Sequence, residues 1–385
     1  VNPIFAGLPT TVFDLMSGLA RKHQAINLGQ GFPDSPGPED VRVKAAEAVL
    51  NGYNQYPPMR GLPELREAVA AHYGRFQGLK IDPETDVVVT SGATEALAAA
   101  LLALVAPGDE VVMFQPIYDS YEPVVRQAGG VPRLVRLEPP EWRITDAALA
   151  KVFNDRTRVV VLNNPLNPAA VSYDRDQLAL LADYCVRFDC KAVCDEVWEH
   201  VVFAPAVHTP LMALPGMAER TVKIGSAGKI FSLTGWKVGW CIASAPLAAA
   251  VAKVHQYLTF TTAPNLQVAA AYGLGKADDY FEDMRAGFAR SRDRLEAGLK
   301  GAGFATLTSQ GTYFISVDLD ASGIHTDDRT FCLRAVEEAG VAAIPVSAFY
   351  LQQPVTNIVR LCFAKKDETL DAGIERLARA RRLFN

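Results

Sequence analysis

No apolar run in this chain is long enough to cross a bilayer. The longest, Ala96 to Ala106, has ordinary helix length and stops at Pro107-Gly108-Asp109, so no membrane partner is expected. The opening Val1-Asn2-Pro3 carries no basic leader backed by an apolar segment, which points away from secretion and toward the cytoplasm. Cysteine is scarce: six in 385 residues, with no C-x-x-C pair and no histidine at metal-ligand spacing. That excludes a disulfide scaffold, gives no metal site, and predicts buried free thiols in a reducing compartment. Positive charge is not in excess either. With 38 Lys and Arg against 43 Asp and Glu, the formal net charge is −5, which argues against nucleic acid or an anionic surface as a partner. Also missing are the G-x-G-x-x-G turn of a nicotinamide-dependent oxidoreductase and the G-x-x-x-x-G-K-[ST] loop of a nucleotide-phosphate site. There is no internal repeat and no Gly/Ser linker, so a second domain would be woven from both termini.

What is present is an alternation of short β-branched runs with longer helical patterns. Strands are predicted at Val87–Thr90, Val111–Phe114, Val159–Leu162, Lys191–Cys194, Val222–Ile224 and Val238–Ile242. Helices are expected between them, at Ala93–Val105, Tyr118–Ala128 and Gln177–Arg187. Such a pattern gives an α/β fold with a mainly parallel sheet covered on both faces. Asp279–Lys300 reads as one long charged helix leading into a smaller α+β domain. The expected division is 1–40 as an N-terminal arm and part of the small domain, 41–281 as the large domain and 282–385 as the small one. The Gly- and Pro-rich segment up to about Pro36 is expected to be extended and to pack on the small domain.

Ligands of open α/β sheets sit beyond the carboxyl ends of the strands, and four strand ends here are polar. Ser91-Gly92-Ala93-Thr94 opens a helix with small residues, which can admit an anion, although plain helix capping is the simpler account. Asn163-Asn164-Pro165-Leu166-Asn167-Pro168 can offer an amide to a ligand or merely build a turn. Asp195-Glu196 ends an apolar strand, where a carboxylate can pair with a heterocyclic cation or cap a helix. Ser226-Ala227-Gly228-Lys229 places a lysine among small residues after a buried strand; a desolvated amine there has a lowered pKa and can attack an aldehyde.

In order and spacing, these blocks resemble the class I and II pyridoxal-phosphate-dependent aminotransferases of fold type I. The likeness is greatest to the branch with kynurenine, glutamine and methionine aminotransferases. It runs from Asn27-Leu28-Gly29-Gln30-Gly31-Phe32-Pro33-Asp34 through Asn54-Gln55-Tyr56, Asp195-Glu196-Val197 and Ser226–Lys229. It continues through Thr234-Gly235-Trp236-Lys237-Val238-Gly239-Trp240 to Val359-Arg360-Leu361-Cys362-Phe363. The resemblance implies a seven-stranded large domain, pyridoxal 5'-phosphate as cofactor, and ping-pong transfer of an amino group from an amino acid to a 2-oxo acid through the pyridoxamine form. By it, Lys229 forms the Schiff base and moves the proton, and Asp195 keeps the pyridine nitrogen protonated. Asn167 contacts the ring hydroxyl and the substrate, and Tyr118 stacks on the ring. Ala93, Thr94, Ser226 and Lys237 hold the phosphate. Arg360 and the Gly31 backbone receive the substrate carboxylate. Tyr56 reaches the site of a neighbouring subunit, which implies a homodimer.

Two positions depart from the family pattern. Trp198 stands where tyrosine usually bonds the cofactor ring oxygen; an indole donates one N–H and cannot ionise, so a different Schiff-base pKa is expected. Ala170 stands where glycine is usual, so it must adopt whatever backbone angle glycine supplies. The segment His255–Thr261 aligns with a pocket rim and has no arginine, which predicts a neutral, aromatic or sulfur-containing amino donor. Two other readings use the same cofactor: a cysteine-conjugate β-lyase, which would release pyruvate and ammonia without an acceptor, and a non-catalytic sensor.

Overall fold

The computed structural model describes residues 1–384. Seven strands form the central sheet: β1 (Val87–Thr90), β2 (Glu110–Gln115), β3 (Val131–Arg136), β4 (Thr157–Asn163), β5 (Lys191–Asp195), β6 (Thr221–Ser226) and β7 (Gly239–Ile242). Their order across the sheet is β1-β7-β6-β5-β4-β2-β3. All neighbours are parallel except β7, which runs antiparallel to both β1 and β6. Every residue of β1, β2, β6 and β7 is buried, as expected of strands covered by helices on both faces.

Sequence patterning missed β3. Its Pro132 and its half-exposed arginines argue against a central strand, and the structure places it at the sheet edge, where proline is tolerated.

Register sets up the site. Thr90, Gly239 and Ser226 lie abreast across β1, β7 and β6, and Asn163 lies beside Asp195 across β4 and β5. The polar strand ends thus form one rim, and the helix Gly92–Leu104 starts from it.

The helix Asp278–Gly301 leads to a four-stranded antiparallel sheet, in the order Ile344–Pro345, Ile358–Cys362, Phe314–Asp318, Ala305–Thr306. Its second strand carries Arg360, opposite Ser316.

The N-terminal segment corrects one expectation: it is not extended throughout, because Val12–Lys22 is a helix. Thr11 Oγ1 caps it by accepting from Asp14 N at 3.1 Å, Asp14 lies in its first turn, and Arg21 and Lys22 lie in its last. Beyond the helix, Ile26–Asn27 pairs in parallel with Val341–Ala342, so the segment does pack on the C-terminal part of the chain. All six cysteines are buried and unpaired, and among the described residues no helix is long and apolar enough to cross a membrane.

Candidate active site

A cavity of about 320 Å³ opens at the carboxyl rim of the sheet. Every predicted site residue except Tyr56 lines it.

One end of the cavity is built for an anion. The helix Gly92–Leu104 begins with no side-chain cap from Ser91, whose own N–H is instead taken by Glu95 Oε2 at 2.6 Å. The N–H groups of the first turn, at Gly92, Ala93 and Thr94, therefore have no partner within the helix. Gly92 has φ +78°, and a Cβ there would stand 3.1 Å from Lys237 Cε. Lys237 itself is left-handed (φ 54°), which brings its Nζ to 3.4 Å from Thr94 Oγ1. A Cβ on Gly239 would sit 2.8 Å from Ala93 N, so only glycine lets β7 pass this close to the helix start. Ser226, at the end of β6, adds a hydroxyl.

The floor is a carboxylate. Asp195 is buried, and its Oδ2 accepts from the Tyr121 hydroxyl at 2.5 Å. Burial pushes this carboxyl up, and Tyr121, the Val197 N–H and Lys229 pull against it. Asn163 clamps the neighbouring loop: its Nδ2 donates to the Asp195 carbonyl at 3.0 Å, and its Oδ1 accepts from Asn167 N at 2.8 Å. Tyr121 and Asn163 had no individual role in the sequence reading. The available signal was position alone: Tyr121 lies three residues after Tyr118, and Asn163 opens the polar turn at the tip of β4.

Lys229 faces the cavity from the turn after β6. Burial pushes its amine down to about 8, so a useful fraction is neutral near physiological pH. Its Nζ lies 4.5 Å from the centre of the Trp198 ring, so Trp198 does point into the site and supports the amine with an aromatic face. The same Nζ is 3.3 Å from the Tyr313 hydroxyl, which donates to the Gly31 carbonyl at 2.6 Å. Tyr313 had no role in the sequence reading.

Arg360 is 1% exposed. Nη1 donates to Asn167 Oδ1 at 2.8 Å and Nη2 to the Gly29 carbonyl at 2.7 Å, while Nε is buried without a partner. Its guanidinium carbon lies 3.9 Å from the Phe314 ring centre, and burial lowers its pKa to about 10, which leaves it charged at neutral pH. A buried cation with a spare donor is suited to a carboxylate. Asn167 Oδ1 faces Arg360 in this arrangement, which couples the substrate end to the ring end. Ala170 has φ +61°, so it holds the left-handed angle without glycine's freedom.

Behind Asp195 lies a buried ionic cluster. Lys223, in the middle of β6, donates to Glu199 Oε2 at 2.6 Å and also to Glu196. His208 Nε2 is 3.3 Å from Glu196 Oε2, and Tyr73 donates to Glu199. The Nε2 atoms of His72 and His200 meet at 2.7 Å nearby. Glu196, Glu199 and His208 converge as metal ligands could, but Lys223 already supplies the positive charge between the two carboxylates.

Two predicted positions lie elsewhere. Tyr56 is 80% exposed, with its ring edge-on to Phe260 at 5.5 Å between centroids. The His255–Thr261 segment does not line this chain's cavity: His255 turns inward, with Nδ1 2.7 Å from Glu95 Oε1 and Nε2 2.9 Å from the Met59 carbonyl. Phe260 is instead exposed beside Tyr56, and Tyr257 is exposed as well.

The donor set fits pyridoxal phosphate: an anion end, a buried carboxylate for a ring cation, aromatic walls and an amine of lowered pKa. Comparison with known proteins agrees. The family model for aminotransferase class I and II matches residues 23–377. The chain is 43% identical over 370 residues to methionine aminotransferase of Escherichia coli, covering 96% of each. It is 36% identical over 393 residues to human kynurenine–oxoglutarate transaminase 1, covering 93% of each. Among solved structures, N-succinyldiaminopimelate aminotransferase of Mycobacterium tuberculosis superposes with a TM-score of 0.95 at 43% identity, covering 99% of this chain and all (100%) of that one. The rim of polar strand ends, the fold around it and these relatives lead to one conclusion: the chain belongs to the class I and II aminotransferases and is a pyridoxal-phosphate-dependent aminotransferase.

Proposed function

We propose that this aminotransferase takes neutral, aromatic or sulfur-containing amino acids as donors, with Lys229 as its reacting amine. The observation that carries the assignment is the convergence of Lys229, Asp195, the Gly92–Thr94 helix start and Arg360 on one cavity. When bound, pyridoxal phosphate supplies an electron-accepting ring that acidifies the Cα–H of an amino acid joined to it. The residues do the rest. Ala93, Thr94, Ser226 and Lys237 hold the phosphate. Asp195 would keep a proton on the ring nitrogen, Tyr118 would stack on the ring and Asn167 would meet the ring oxygen. Arg360, with the Gly31 backbone, fixes the α-carboxylate and so aims the Cα–H toward Lys229. The Lys229 amine, lowered to about 8 by burial, would take the proton from Cα and hold it for return, the role by which this chain would help turn an amino acid into its 2-oxo acid. A second 2-oxo acid would accept the amino group in the same cavity. The aromatic residues Phe13, Tyr118, Trp198 and Phe314 help keep water out.

Donor preference follows from the cavity wall. Its cations are Lys229, Lys237 and Arg360, each already assigned, and the remaining wall includes Phe13, Phe32, Leu97 and Phe314. The working form in this reading is a cytoplasmic homodimer. Leu50, Tyr53, Tyr56 and Tyr257 are all at least 78% exposed, an aromatic surface suited to a second copy that would receive Tyr56 at its site. The domain limits 1–40, 41–281 and 282–385 belong to the same proposal, supported by two separate sheets joined through the helix Asp278–Gly301.

The test is a visible absorption spectrum of the loaded protein before and after adding single amino acids without acceptor. The expected result is a cofactor band that is absent in Lys229→Ala and converts with methionine, phenylalanine or kynurenine. Much faster conversion by aspartate or N-succinyldiaminopimelate would overturn the donor class. Release of pyruvate and ammonia from a cysteine conjugate without turnover of these donors would favour lyase chemistry.

A further inference from the structure

Tyr313 has no part in the roles assigned above, yet it touches the residue at their centre. Among the described residues, its hydroxyl is the one hydrogen-bond partner the structure gives to Lys229 Nζ, at 3.3 Å. The same hydroxyl is 2.6 Å from the Gly31 carbonyl oxygen. The side chain is fully buried, with its ring edge-on to Trp198 at 4.3 Å between centroids. Its placement comes from the second sheet: Tyr313 directly precedes Phe314–Asp318, which pairs with the strand carrying Arg360.

The chemistry of a phenol settles the direction of these bonds. A neutral phenol has one proton, and a carbonyl oxygen can only accept, so that proton goes to Gly31. The oxygen then has only lone pairs to offer Lys229, and the amine must be the donor. Burial keeps the phenol neutral by pushing its pKa well above the ordinary value. The indole of Trp198, which stands where the family has tyrosine, offers the amine a ring face and no acceptor atom.

We propose that Tyr313 is a positioning residue for Lys229. Its hydroxyl tethers the amine to the Gly31 segment, so that the tip of a long flexible side chain is held toward the cavity. Gly29, two residues before Gly31, receives Arg360 Nη2, so the amine and the carboxylate-binding cation are anchored to one short stretch of chain. This inference rests on the reading of Lys229 as the reacting amine.

The test is the pH dependence of Lys229 labelling by trinitrobenzenesulfonate in cofactor-free protein, read by mass spectrometry in the parent and in Tyr313→Phe. The parent midpoint is expected at about 8. Tyr313→Phe keeps the ring but removes the acceptor from the ammonium, so its midpoint should fall by about one pH unit. In the loaded enzyme kcat should fall about tenfold with KM nearly unchanged. Coincident midpoints in two proteins of equal thermal stability would overturn the proposal. A merely structural role would lower the unfolding temperature and leave the midpoint in place. Should Tyr313→Phe not fold, a ring-isotope label on Tyr313 in the unsubstituted protein must show a step at the Lys229 midpoint, and a flat titration would refute the tether. A cofactor band that survives in Lys229→Ala would instead refute the reading of Lys229 itself, so the two failures are distinguishable.

Discussion

Lys223→Met removes the ammonium that lies between two carboxylates held away from water. Glu196 is 0% exposed, and burial alone would push its carboxyl up; Lys223 and His208 pull it back past the ordinary value of 4.5 to about 2. At about 1.4 kcal/mol per pH unit, that displacement corresponds to about 3 kcal/mol of native-state stability at neutral pH. A depressed carboxylate contributes above its unfolded value, and the contribution is lost as pH falls through 4.5 toward 2. In Lys223→Met the carboxylates lose their partner while methionine fills most of the space, and breaking a buried ion pair in this way costs about 3–5 kcal/mol. The assay is urea unfolding of cofactor-free protein at several pH values. The expected deficit is full at pH 7 and shrinks as acid neutralises the stranded carboxylates. Glu196 directly follows Asp195, so the variant should also bind pyridoxal phosphate more weakly. A variant within 1 kcal/mol of its parent at pH 7, or a deficit that ignores pH, would refute the reasoning.

Ala170→Gly should be neutral to stabilising by about 1 kcal/mol in thermal unfolding, because relief of the left-handed angle outweighs one lost methyl. A loss comparable to that of an ordinary buried alanine would contradict it. Arg360→Lys should cost about 10- to 100-fold in kcat/KM, chiefly through KM, because one ammonium cannot satisfy Asn167, Gly29 and a carboxylate together. Steady-state kinetics with methionine would check this. His72 and His200 are held neutral by burial, with pKa values lowered to about 4 and about 3. Their contribution is full above the unfolded value of 6.5 and declines as pH falls toward 4, so unfolding free energy should slope downward across that window in the parent and less in His72→Phe. Trp198→Leu should lower the Lys229 labelling midpoint by about half a unit, since the aromatic face favours the ammonium; an unchanged curve would remove that role.

The polar strand ends were legible because each followed a β-branched run whose burial could be inferred from its own residues. The missed elements carried mixed signals. Strand β3 contains a proline and two arginines, which only an edge position reconciles. The helix Val12–Lys22 was obscured by Gly7 and Pro9 just before it and by Gly18 within it, although Phe13, Met16 and Ala20 mark one face of a helix. Tyr121, Asn163 and Tyr313 act through partners remote in sequence, at separations of 74, 32 and 84 residues for Asp195, Asp195 and Lys229. No local pattern announces such contacts. Lys223 did lie in plain view as a charge inside an apolar strand, but its two glutamates could be recognised as partners only once β5 and β6 were side by side.

Strand β7 is the last of the seven to be synthesised and yet sits between β1 and β6. Until residues 239–242 emerge from the ribosome, β1 and β6 cannot lie in one continuous sheet, and a space two strand spacings wide, roughly 10 Å, separates their final positions. Both would present open edges during that interval. The phosphate cradle needs all three strands, since Gly92 and Thr94 follow β1, Ser226 ends β6 and Lys237 precedes β7. The cradle is therefore incomplete without β7, so a ribosome-bound chain ending before Gly239 should retain no pyridoxal phosphate, however complete its earlier strands.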